Sequence, residues 1–178
     1  MKTIFITYNP KSEQEKTLAM RLHSIGAVNG FRMYLPDRYN SDSVLDDETK
    51  ARISKSDYLV MFSTNPLSTI VRQEIEFAFR YLQDKSKILV IYDKHQGKNL
   101  TGKITEYFTP FYFDKFENKQ EELLRSIIST ISHIEKNEII KKQKSEIQRL
   151  ERQRNDSNAL AAFLGIGLGL LILGTAND

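Results

Sequence analysis

Short β-branched and aromatic runs alternate along the chain with longer stretches whose apolar residues recur every three or four positions. Residues 3–8 (TIFITY) have the composition of a buried strand. Ser12 and Glu15 then stand at capping-box spacing, and Leu18, Leu22 and Ile25 follow at helical spacing. Gly26 and Gly30 bracket the exit from that helix. Residues 31–35 predict a second strand, stopped by Pro36-Asp37. Residues 46–55 predict a short helix, acidic at its start and basic at its end, which suits the helix dipole. A third strand over 58–62 is followed by Asn65-Pro66, which opens a strong helix to about Gln83. Residues 87–92 predict a fourth strand and 111–113 a short fifth one, with loop and one helical turn between them. From Glu121 onward Leu124, Ile127, Ile128, Ile131 and Ile134 form one helical stripe.

Strands alternating with helices through short connections imply a parallel sheet covered on both faces. Five strands and five helices predict an α/β, flavodoxin-like, doubly wound five-stranded sheet over residues 1–134. In such a fold the ligand site lies at the carboxyl ends of the strands. Tyr8-Asn9, Asp37-Arg38, Ser63-Thr64 and Asp93 are expected to project there.

Beyond this region the pattern changes. Residues 135–158 are dense in Lys, Arg, Glu, Gln and Asn and predict a helical stalk; Ile140, Ile147 and Leu150 supply only a fragment of a coiled-coil repeat. Residues 159–174 (ALAAFLGIGLGLLILG) carry no charge, and with Thr175 and Ala176 the segment reaches about 27 Å as a helix. That length predicts a membrane-spanning segment over 159–176, at the short end of the range. Gly165 and Gly169 have the spacing that lets membrane helices approach closely. Arg149, Arg152 and Arg154 precede it, which predicts a single-pass anchor holding the domain on the cytoplasmic face of a membrane. Burial inside a protein oligomer is the other reading of this segment. The first apolar run is only a strand long, unlike a secretion signal.

Composition narrows the chemistry. The absence of Cys excludes disulfides, a thiol nucleophile and Cys-ligated metals, and suits a reducing compartment. Three scattered histidines (His23, His95, His133) give no metal-ligand pattern, so no metal or cofactor is expected. A net charge of +3 over 178 residues is too small to predict nucleic-acid binding. Four of the eight glycines lie in the last fourteen residues. Neither a dinucleotide fingerprint nor a phosphate-binding P-loop occurs before them.

The sharpest anomaly lies in the helix after the third strand. With Glu74 at zero on a wheel of 100° per residue, Leu67 and Tyr81 fall within about 20°, Ile70 and Ala78 within about 40°, and Val71 and Phe77 within about 60°. Arg72, Gln73, Glu76, Arg80 and Gln83 lie on the other side. Glu76 has Arg72 and Arg80 one turn away and is an ordinary solvated carboxylate. Glu74 instead interrupts an apolar stripe. A carboxylate placed there is desolvated, and such groups in clefts are candidates for chemistry. The alternatives are a stem that carries the head to the surface, or a buried pairing with Arg or Lys.

IFITY (residues 4–8) with Asn9, then Pro36-Asp37, ISKSDYLVMFST (residues 53–64), and Ser68-x-x-Val71-x-x-Glu74-Ile75 with Ala78 resemble the TIR domain, most closely its bacterial NAD-consuming branch. The resemblance spans Met1 to about Ile134. It implies that Thr7-Tyr8 is the pair ending the first strand, that residues 38–45 form a mobile loop, and that Glu74 is the catalytic glutamate. Ile70 departs from the pattern, which commonly has an aromatic residue four positions before that glutamate.

The function implied is NAD+ nucleosidase activity: hydrolysis or cyclisation at the nicotinamide–ribosyl bond, in bacterial antiviral defence signalling, activated by self-association. NAD+ is then substrate rather than cofactor. Glu74 would stabilise the ribosyl cation, Tyr8 would stack on a ring, and Asn9, Asp37, Arg38 and Ser68 would contact the remaining substrate. Two other readings share the layout: a non-enzymatic TIR adaptor, and a nucleoside deoxyribosyltransferase-like enzyme, which usually has a Gly-rich, Asp-containing approach to its glutamate helix.

Overall fold

A computed structural model describes residues 1–37, 44–82, 84–95, 108–115 and 119–156. Five strands form one parallel sheet in the order β2-β1-β3-β4-β5: β1 (Thr3–Thr7), β2 (Arg32–Tyr34), β3 (Tyr58–Ser63), β4 (Ile88–Asp93) and β5 (Thr109–Phe113). This is the flavodoxin-like order expected from the alternating pattern, with the switch point between β1 and β3. β1, β3 and β4 are buried along their whole length, as central parallel strands require. β5 begins two residues earlier than its hydrophobic pattern suggests. It tolerates Pro110 because it lies at the sheet edge, where a missing N–H leaves no ladder bond unmade.

Chain contacts divide the protein into two units, Met1–Ile131 and Ser132–Asp178. In the first, side-chain alternation sorts the sheet into two faces. Phe5, Leu59, Met61, Ile88, Val90 and Tyr92 share one apolar cluster with Ile53 of α2 (Asp47–Ser54) and with Ile70, Val71, Ile75 and Ala78 of α3 (Thr69–Tyr81). The opposite face carries Ile4, Ile6 and Met33, and meets α1 (Glu13–Val28). A Cβ on Gly26 of α1 would run into the Met33 thioether, so a side chain there would make the Met33 side chain move. Gly30 has φ +82°, a left-handed turn that a side chain would strain. Leu124, Ile127, Ile128 and Ile131 of α4 (Gln120–Asp156) are buried, and Arg21 of α1 bonds Glu121 of α4 at 2.9 Å.

Element ends follow local chemistry. Asp46 caps α2 by accepting from Thr49 N at 2.7 Å, so the helix starts one residue later than its charge pattern suggests. α3 starts at Thr69 rather than at Pro66, because Ser68 is its N-cap and accepts from Val71 N. Among the described residues there are four α-helices and a 3₁₀ turn at Lys85–Lys87, against the five helices expected. The helical turn expected between β4 and β5 falls mostly outside the described residues.

In the second unit the described residues continue α4 to Asp156, and Ile139, Ile140 and Ile147 are exposed. Among the described residues no helix is long and apolar enough to cross a membrane. The proposed span over 159–176 lies outside them.

Candidate active site

Two buried glutamates occupy the carboxyl-terminal end of the sheet. Glu74 is on α3 at 1% exposure, in line with its place in the apolar stripe, and the surface-reaching alternative does not apply. The stripe itself is rotated from the wheel estimate. Ile70, Val71, Ile75, Ala78 and the C-cap Leu82 are buried, whereas Tyr81 is 54% exposed. The helix ends at Tyr81, so that side chain runs past the sheet and packs on Phe77, with ring centroids 4.6 Å apart. Glu74 stays within the arc because it lies between Ile70 and Ala78, one turn from each.

Its carboxylate accepts a hydrogen bond through Oε2 from the hydroxyl of Thr7, the last residue of β1, itself fully buried. The carboxylate of α3 is thereby fixed to β1 at the switch point, where a doubly wound sheet opens its crevice. A bond of this kind orients the carboxyl group and gives one of its buried oxygens a partner. Ser63, the last residue of β3, and Tyr92 of β4 are also fully buried. Their positions in the ladders put them on the same face as Thr7.

Glu15, on α1, has a different environment. Oε2 accepts from Asn9 N at 2.7 Å, and Oε1 accepts from Thr64 N at 3.0 Å, Thr64 Oγ1 at 2.8 Å and Asn65 N at 3.1 Å. It ties the loop after β1 to the loop after β3. The capping box is therefore only half formed. Glu15 N donates to Ser12 Oγ at 3.2 Å, while the Glu15 carboxylate turns inward, and Ser12 N donates to Asn9 O instead. Nothing in the local spacing distinguishes this from an ordinary capping box.

The remaining sequence-derived residues divide by location. Tyr8 is 8% exposed, its ring enclosed just beyond β1. Asn9 is engaged in the loop clamp, with Nδ2 donating to Pro66 O at 3.1 Å and Oδ1 accepting from Lys11 N at 3.0 Å. Ser68 caps α3, its hydroxyl oxygen accepting from Val71 N at 3.5 Å. Asp37 is half-buried beyond β2; its N–H donates to Thr49 Oγ1 at 3.1 Å, and it borders an acidic cavity of about 250 Å³ with Asp46, Asp47 and Glu48. Burial raises the Asp46 pKa, but the Thr49 backbone and hydroxyl bonds outweigh it and hold the carboxyl below its usual range. Arg38 lies outside the described residues, as do residues 39–43 of the expected loop. Leu45, at the end of that loop, is buried, and its N–H donates to Gln73 Oε1 of α3 at 3.0 Å. Ile70, where the resemblance leads one to expect an aromatic side chain, is part of the core under α3. The described residues contain no cluster of His, Cys, Asp and Glu arranged to hold a metal ion.

No protein-family model matches the chain, and no curated protein sequence matches it either. Among solved structures, the chain is similar to the CMP N-glycosidase BcmB of Clostridium botulinum, at 20% identity over 71% of this chain and 98% of that one, with a TM-score of 0.48. It is also similar to a putative quinone reductase of Klebsiella pneumoniae, at 11% identity over 75% of this chain and 85% of that one, with a TM-score of 0.43.

Proposed function

We propose that this protein is a hydrolase that cleaves an N-glycosyl bond of a nucleotide, with NAD+ as the substrate and Glu74 as the catalytic carboxylate. The observation that carries this reading is a glutamate at 1% exposure, fixed by Thr7 at the switch point of a doubly wound sheet.

The chemistry suits a single carboxylate. The nicotinamide of NAD+ already bears the positive charge, so when the C1′–N bond breaks it takes the electron pair and leaves neutral, with no acid needed. The ribosyl fragment left behind is a cation. A carboxylate beside it in a water-poor site stabilises that charge more strongly than it would in water. Glycosidases likewise set a carboxylate against an oxocarbenium-like transition state. Attack by water at C1′, with loss of a proton, gives ADP-ribose; attack by the molecule's own adenine would give a cyclic isomer. Thr7 positions the Glu74 carboxylate, and Tyr8, Asn9, Asp37, Arg38 and Ser68 contribute contacts to the rest of the dinucleotide.

The wider reading follows the resemblance to the TIR domain. Self-association raises the local concentration of the domain, and residues 159–176 confine it to the cytoplasmic face of a membrane, where it serves in antiviral signalling. Deletion of residues 159–178 is expected to weaken activity at equal protein concentration; unchanged turnover would reduce that segment to an address.

The test incubates the full chain, wild type beside Glu74→Gln, with NAD+, a deoxynucleoside plus free base, and CMP, and identifies the products by mass. Nicotinamide release by the wild type alone supports the proposal. Base exchange on deoxynucleosides without attack on NAD+ would make it a transferase instead. Release of cytosine from CMP alone would keep the glycosyl chemistry and replace the substrate. No product from any of them, in dilute or clustered protein, would leave an adaptor.

A further inference from the structure

A hydroxyl taken out of water ordinarily finds a hydrogen-bond partner, because leaving it without one costs stability. Two hydroxyls of this protein are buried with no partner among the described residues: Ser63 Oγ and the Tyr92 phenol oxygen. Both residues have 0% exposure. They are lateral partners in the β3–β4 ladder, so their Cα atoms lie about 4.8 Å apart. Ser63 stands two residues beyond Met61, the ladder partner of Thr7. Two strand residues cover about 6.6 Å, which puts Ser63 roughly 8 Å from Thr7, diagonally across the switch point. Tyr92 belongs to the cluster packed under Ile70, Val71 and Ala78 of α3. Thr7, Ser63 and Tyr92 therefore share the face that carries Glu74. They place three hydroxyls on an otherwise apolar patch of sheet, beneath the helix that carries the Glu74 carboxylate.

We infer that the Ser63 and Tyr92 hydroxyls are substrate-binding groups that hydrogen-bond the ribose hydroxyls of the nucleotide, and that they make the site selective for ribosyl over 2′-deoxyribosyl substrates. This rests on the reading of Glu74 as the carboxylate that meets the sugar. The matching chemistry is that of a diol. A hydroxyl both donates and accepts, as a sugar hydroxyl does, whereas a phosphate is better held by cations and backbone N–H groups. A site whose buried groups are satisfied only by the substrate's hydroxyls also rejects an analogue that lacks one, because its own groups are then left unpaired. Hydroxyls that served no ligand would only lower stability, and removing them would bring no loss of any other kind.

The test uses the full chain with Ser63→Ala and Tyr92→Phe, singly and together; each removes little more than one oxygen. The probes are NAD+ and its analogue with 2′-deoxyribose on the nicotinamide side, together with ADP-ribose binding by calorimetry in a Glu74→Gln background. Each single variant is expected to keep or raise Tm. Each should lose roughly 10- to 100-fold in kcat/KM for NAD+ and weaken ADP-ribose binding by a similar factor. The wild type should prefer the ribosyl substrate by about 100-fold or more, and the double variant should lose most of that preference. Wild-type turnover with variants indifferent in kcat/KM and preference would overturn this inference and leave the role of Glu74 intact. A fall in Tm on removing either oxygen would also overturn it, by revealing a structural hydrogen bond. A wild type that neither cleaves NAD+ nor binds ADP-ribose would sink the glycosyl reading and this inference together.

Discussion

Glu15 and Glu74 stand at the same end of one sheet, on opposite faces, and both are buried to within 1%. Glu15 accepts bonds from the backbone or side chains of Asn9, Thr64 and Asn65, all of them loop residues of the protein itself. Glu74 accepts from Thr7, on the sheet face where two further hydroxyls have no partner among the described residues. Burial alone therefore does not identify a catalytic carboxylate. A group whose bonds are filled by the loops it joins is part of the scaffold. We read a group set among hydroxyls without partners among the described residues as one arranged for a ligand.

The sharpest way to break this contrast is to remove each acid in turn. Glu74→Gln keeps shape and most packing, so it is expected to lower nicotinamide release by at least about 1,000-fold while moving Tm by no more than a few degrees. A mutant with more than a tenth of wild-type turnover would contradict the assigned role. Glu15→Ala should do the reverse. It leaves several buried donors without an acceptor and is expected to cost roughly 3 kcal/mol or more, seen as a fall of about 10 °C in Tm by calorimetry. A variant of normal stability would show that the two loops do not need this clamp.

Thr7→Val is nearly isosteric and deletes the donor to Glu74. Its expected effect is a fall of roughly 10- to 100-fold in kcat with little change in KM, since the carboxylate is kept but no longer oriented. A loss confined to KM would place Thr7 in substrate binding instead.

The smallest effect is expected at the opposite end of the strands. Asp57 accepts from Thr3 N at 2.9 Å and Lys2 Nζ at 3.0 Å, fastening the start of β1. Burial raises the Asp57 pKa, but the Thr3 bond and the Lys2 and Lys87 charges outweigh it and hold the carboxyl below its usual range. Because the folded value is lowered, the contribution is present above the unfolded carboxyl pKa of about 3.9 and lost as pH falls through the folded value. The group is partly solvated, so Asp57→Asn should cost about 0.5 kcal/mol at neutral pH and reduce the loss of stability below about pH 4, measured by denaturant titration. An unchanged acid limb would remove Asp57 from the account.

Some of this was open to reading along the chain. The strand runs, the switch from one repeat to the other, and the sheet order they imply need only local pattern and short connections. Glu74 was visible because a carboxylate at a buried wheel position is a local contradiction. Glu15 was hidden, since its spacing from Ser12 is that of a capping box and two of its partners, Thr64 and Asn65, lie about 50 residues away. Ser63 and Tyr92 gave no signal either. A strand-end serine and a strand tyrosine are ordinary until the ladder puts them side by side. Tyr81 misled because the wheel has no knowledge of where the helix outruns the sheet.

The amino-acid order by itself determined which segments are strands and which helix carries the acid, because hydrophobic period and turn chemistry act over a few residues. Tertiary structure decided which buried polar groups find partners, as Glu15 does, and which find none among the described residues, as with the Ser63 and Tyr92 hydroxyls. That outcome depends on partners brought together from distant parts of the chain, and hydrogen bonding is a matter of final position rather than of spacing.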